Sequence, residues 1–222
     1  MKRRDVPTAL LTALVMGTAW PLAARADAAA LFSAAEAGDI AALKKQLDAG
    51  LPVDTRDTRR RTALLAATHA NRVEAARLLI ERGADVNAKD AIQDSPFLYA
   101  GAQGRLDILR LILAAGADLK STNRYGGTAL IPAAHHGHVE TVRELLKTKI
   151  DIDHVNRLGW TALLEAIILG DGGAVHTEIV RLLLAHGAKP QLADAQGVTP
   201  LAHAEQRGQR AIVELLRRSL AR

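Results

Sequence analysis

Three histidines fall within four residues of the stretch GTALIPAAHHGHVETVRELL (127–146), namely His135, His136 and His138. With Glu165 and His203 downstream, they are the side chains whose types could hold a metal ion or move a proton. A zinc site needs three or four ligands within about 2.3 Å of the ion and further groups to orient them. The spacing argues against one here. Gly137 interrupts the run, so the pair and His138 do not share one helical face. His69 lies two helix pairs upstream, and helices packed about 8–10 Å apart would leave it about 20 Å from His135. The chain contains no cysteine, which removes disulfides, thiolate ligands and thiol nucleophiles. No Gly-rich phosphate loop, nucleophile elbow or H-E-x-x-H pattern is present. The expectation is therefore a protein with no catalytic residues, metal or cofactor. The alternative is a metal-binding or hydrolytic protein using His135, His136, Glu165 and His203.

What would position these side chains is a repeat. RTALLAATHANRVEAARLLIERGADVNAKD aligns with DSPFLYAGAQGRLDILRLILAAGADLKSTN, and three further copies follow. Their opening hydroxyls are Thr62, Ser95, Thr128, Thr161 and Thr199, in steps of 33, 33, 33 and 38, the last with an insertion at Asp171–Val175. In each copy the hydroxyl caps a first helix, with Pro96 or Pro200 tolerated at its first position. A glycine or its substitute (Gly38, Asn71, Gly104, Gly137, Gly170, Gly208) ends that helix, and a second helix shows apolar residues at i, i+3 and i+4. The residue after it, His138 in the fourth copy, reads as a position that takes any polar side chain. Gly83, Gly116 and Gly187 end the second helix, and Asp57, Asp90, Asn123, Asn156 and Asp194 suit a turn before the next hydroxyl. Such a pair cannot bury its apolar faces alone, so the copies must stack.

The Thr-Pro-Leu start, mid-unit glycine, IVRLLL helix and GADVNA turn resemble the ankyrin repeat over nearly all of residues 27–222. The resemblance implies an all-α solenoid of about six helix-turn-helix units joined by short β-turn loops. The units fall near 27–57, 58–90, 91–123, 124–156, 157–194 and 195–222, the first and last serving as caps. Three features depart from the family pattern. Its histidine after Thr-Pro-Leu is replaced by Leu65, Leu98, Ile131, Leu164 and Ala202; its turn glycine by Arg60 and Gln93; and its helix-ending glycine by Lys149. Each side chain held at positive φ should cost up to about 1 kcal/mol.

The resemblance also implies a concave surface made of hairpin tips and the exposed face of the first helices. On it the sequence places Arg59, Arg61, Tyr99, Arg124, Tyr125, His135, His136, Arg157, Leu158, Trp160 and Glu165, with Ile168 and Leu169 extending an apolar patch beside Trp160. Tyrosine, tryptophan and arginine are the types that most often dominate interface energy, so the expected partner is a protein. Trp160 and Leu158 folding over the next turn would be the packing alternative. Phe97 reads as core.

Residues 1–26 read as a signal peptide: a basic MKRRD start, an apolar run from Val6 to Trp20, and Ala24-Arg25-Ala26, with cleavage expected before Asp27. The expected location is periplasmic or secreted, with no stable membrane span after cleavage and a monomeric state. Removing this segment takes Lys+Arg from 29 to 25 and Asp+Glu from 24 to 23, so the net charge falls from +5 to +2. That balance gives no reason to expect nucleic acid.

Overall fold

The computed structural model describes residues 22–221, with side chains from Asp27 onward. The expected signal peptide lies outside the described residues except for the helical backbone at its end. Twelve helices, and no strands, occur among the described residues. They are α1 (Leu22–Ala37), α2 (Ile40–Asp48), α3 (Ala63–His69), α4 (Val73–Glu81), α5 (Pro96–Ala102), α6 (Leu106–Ala114), α7 (Leu130–His135), α8 (Val139–Leu146), α9 (Ala162–Ile168), α10 (Ala174–Ala185), α11 (Pro200–Gln206) and α12 (Arg210–Leu220).

Odd-numbered helices stack on one another in sequence order, and even-numbered helices form a second layer behind them. The inner helices of the first layer are short and largely buried: all seven residues of α9 and six of the seven in α3, against two of the seven in α11. Alanines at 63, 66, 67, 133, 134, 162 and 166 are fully buried and let the helices approach closely. Gly101 is required by this approach, since a Cβ there would stand 2.7 Å from the Ala129 Cβ. The second layer buries one face, as with Ile108, Leu109 and Ile112 of α6 or Val142, Leu145 and Leu146 of α8. Its outer face carries ion pairs between units, Arg82 to Asp48 at 2.8 Å and Arg110 to Glu144 at 3.3 Å among them. Phe97 is fully buried, as expected.

The caps follow the sequence with one exception. Thr62, Ser95, Thr161 and Thr199 each accept the backbone N–H three residues on. Thr128 does not. Its Oγ1 is buried without a partner, and α7 begins two residues later, from Ala129, with Pro132 near its start.

Each hairpin tip is an Asx-stabilised β-turn. Asn156 Oδ1, for example, accepts the N–H groups of Leu158 and Trp160, while Gly159 N–H bonds to the Asn156 carbonyl. Arg60 and Gln93 do hold the turn at φ 61° and 69°, and Asn71 holds the mid-unit turn at 55°. Two backbone expectations need correction. Lys149 is not at positive φ; α8 is one residue shorter than α4 or α6, and Thr148 bonds the Leu145 carbonyl instead. Gly170 is not at positive φ either; the insertion moves that turn to Gly172 at 71°.

Candidate partner-binding groove

The hairpin tips before α5, α7 and α9, together with the open faces of those helices, enclose a groove of about 550 Å³. Its position follows from the repeat: residues four, three and one before the capping hydroxyl form the tip, and those four, seven and eight after it share one helical face.

Seven of the residues singled out from sequence line this groove: Tyr99, Arg124, Tyr125, His135, His136, Leu158 and Glu165. Arg59, Arg61, Arg157 and Trp160 do not. Arg61 is committed to a structural ion pair, 2.8 Å from Asp57 and 3.2 Å from Glu36. Arg59 is exposed, and its carbonyl accepts the Ala91 N–H, joining one tip to the next. Arg157 does the same with its N–H to the Tyr125 carbonyl and its guanidinium to the Arg124 carbonyl. Trp160 is half-buried, with its backbone N–H held by Asn156. Of the apolar patch placed beside it, Leu158 and Leu169 stand out from the surface, but Ile168 is buried at 9% exposure.

Glu165 lies in this groove at 7% exposure. Asn156 Nδ2 donates to its Oε1 at 2.8 Å, while Oε2 has only His135 Nδ1 nearby, at 3.8 Å. Burial pushes the Glu165 carboxyl up to about 7, against a weaker opposing pull from the Asn156 amide. Burial also lowers the His135 imidazole below its ordinary value, reinforced by His136 and His176. Asp94 is raised, again chiefly by burial and then by Asp90, with Arg124 pulling the other way.

The aromatic faces are partly engaged. His69, absent from the sequence-derived set, stacks on Tyr99 with centroids 3.8 Å apart. The Arg124 guanidinium lies 4.9 Å from the Tyr125 centroid and 3.7 Å from Asp94. The signal that could have found His69 is its register, seven residues after Thr62.

The histidine cluster has a structural account. His135, His136 and His138 do bring their rings together, 4.5 Å and 5.9 Å apart, despite the break at Gly137. In three units the residue aligned with His138 reaches back to the preceding unit. Arg72 donates to the Glu36 carbonyl, His176 Nε2 lies 2.9 Å from the His135 carbonyl, and Gln209 donates to the Ile167 carbonyl. These are helix-end carbonyls that lack intrahelical partners. In the fourth unit His136 takes that task, 2.7 Å from the Ala102 carbonyl, and His138 packs its ring over Gly104.

His203 has the same register as Glu165 but lies outside the groove, 2.7 Å from Asp194 Oδ2. The four residues of the metal or hydrolytic alternative are therefore not brought together. No group of three or more His, Asp or Glu side chains able to hold an ion occurs among the described residues.

Stacked helix pairs with a shaped groove on the first-helix layer define a repeat-built binding module. The model for ankyrin repeats, three copies long, matches residues 10–90, 31–123, 97–194 and 133–221, and the chain belongs to the ankyrin repeat family. Its repeats are generally protein–protein interaction modules and typically non-catalytic. The chain is 60% identical to an ankyrin repeat domain from Acinetobacter baumannii AYE, with TM-score 0.83 over 85% of this chain and 96% of that one. It is 44% identical to the ankyrin repeat protein EF0377, with TM-score 0.82 over 86% and 97%. Bcl-3, of the IkappaB protein family, is 29% identical with TM-score 0.77, over 86% of this chain and 85% of that one. The ankyrin repeat protein YahD of Escherichia coli (strain K12) is 54% identical over 52 residues, 23% of this chain and 26% of that protein. The match thus spans about a quarter of that relative.

Proposed function

We propose that this is an exported, non-catalytic module that holds a protein partner in the groove of its third to fifth units, as an inhibitor, an immunity-type protector or a scaffold. One observation carries the placement. Among the described residues, the exposed large apolar side chains include Ile92 (53%), Tyr125 (53%), Leu158 (50%) and Leu169 (43%), and all four line this groove. Apolar surface gathered in one concavity is costly to leave in water and marks an interaction site. Aromatic side chains and an arginine in the same concavity fit the composition of interface hot spots. No helix among the described residues is long and apolar enough to cross a membrane. Export is supported by the basic start, apolar run and Ala24-Arg25-Ala26 of the leader.

The test has two arms. Residues 1–30 fused to a reporter active only after export should give activity, and a silent fusion refutes the location. Tagged protein should capture a discrete envelope partner, and Tyr125→Ala with Leu158→Ala should abolish capture while the circular dichroism spectrum is unchanged. Capture that survives both substitutions would place the interface elsewhere.

A further inference from the structure

We propose that the segment seated in this groove presents one basic side chain, lysine or arginine, to the Glu165 carboxylate, with apolar neighbours covering Ile92, Tyr125, Leu158 and Leu169. This rests on the groove being the protein-binding surface, and it names the chemistry of the partner.

Three independent observations converge on it. First, the Glu165 side chain is only 10% exposed, yet one of its oxygens has no hydrogen-bond donor within reach; His135 Nδ1 stands off at 3.8 Å. Asn156 supplies the one donor the chain gives this carboxylate, and Oε2, which the chain does not enclose, is left to solvent or to an entering group. Oε2 is not a buried atom and belongs to a residue lining the groove, so an entering group can reach it. Second, the remaining charge of the groove does not neutralise it. Arg124 is already placed against Asp94 and over Tyr125, leaving Glu165 without a cation of its own. Third, the walls suit a long basic side chain. His69 stacks on Tyr99 and Arg124 covers a face of Tyr125, and beside them Ile131, Pro132 and Leu158 give the groove an apolar wall. Lysine and arginine bury their methylene stems against such surfaces and keep the charge at the tip. With Asp94 and Arg124 set against each other, an acidic partner side chain would instead meet the Glu165 carboxylate.

The probe is a displayed library of random dodecamer peptides, panned at pH 8 against the immobilised protein. Enriched peptides should share a lysine or arginine among apolar residues. Replacing that residue by norleucine should weaken binding at least about tenfold, as removal of one partner from a largely desolvated charge pair does. Glu165→Gln should weaken the parent peptide equally, and combining the two changes should add little further loss. The glutamine keeps an acceptor for Asn156, so the groove survives the change. Peptides that depend on Tyr125 but carry no basic residue, or bind Glu165→Gln as well as the native protein, overturn the charge inference and leave the groove reading intact. Peptides indifferent to Tyr125→Ala and Leu158→Ala, or no enrichment above a blank support, overturn both.

Discussion

Glu165 sits where a single proton decides a measurable part of the stability. Its carboxyl is raised to about 7 by burial, whereas in the unfolded chain it titrates at roughly 4.3. The folded state therefore holds this proton more tightly. That contribution is full below about pH 4.3 and is lost as pH rises through about 7, above which the fold contains a buried carboxylate. His135, lowered by burial, acts with the opposite slope, but it is common to both proteins in a comparison of native chain with variant. Glu165→Gln should gain little at pH 4 and about 3 kcal/mol more than that at pH 8, read from urea unfolding at several pH values. A gain independent of pH would show that ionisation is not the cause. Much at this scale was legible in the sequence. The 3.6 period puts residue 165 on the groove face, and phase alone puts Arg60 and Gln93 at positive φ. The burial of Glu165 was not legible, because Asn156 and His135 come from a hairpin and from the preceding unit. For the same reason Arg61 read as a free surface arginine, although Asp57 and Glu36 hold it.

Among the helices, identical sequence signals do unequal work. Thr161 and Thr128 open their units with the same residue, and the hydroxyl of Thr161 accepts the Leu164 N–H at 3.2 Å. The Thr128 hydroxyl is buried and bonds nothing. Thr161→Val should therefore cost about 1 kcal/mol, the usual loss of an N-cap. Thr128→Val removes an unsatisfied polar atom at nearly constant shape and should be neutral or slightly stabilising. Chemical denaturation of the two variants separates them, and equal losses would contradict the difference in capping. The spacing of 33 residues cannot reveal this, because helix α7 starts late for reasons that involve Pro132 within it. The insertion shows the same limit. Its position was plain from the 38-residue step, but it is pinned by neighbours: a Cβ on Gly172 would stand 2.5 Å from Gln209, and His176 bridges Asp171 and the His135 carbonyl.

Across the whole stack, each unit packs only on the units beside it, so local stability should follow position along the chain. The burial pattern gives the direction. Helix α9 buries all seven of its residues, whereas α2 buries only Leu43 and α12 only Ile212 and Leu216. The terminal pairs also lack a neighbour on one side among the described residues. Opening should therefore begin at the ends and reach the inner first-layer helices α3, α5, α7 and α9 last. Hydrogen exchange followed by mass spectrometry should show amides of α2 and α12 exchanging at least about tenfold faster than those of α9, with α5 and α7 close to α9. That ordering places the groove on the most protected helices, so its aromatic and apolar side chains are held in position before a partner arrives. A preorganised surface loses less conformational freedom on binding, which favours affinity from a modest contact area. Equal protection from α2 to α12 would mean that the stack opens as one cooperative body, and the argument for a rigid centre with frayed ends would fall.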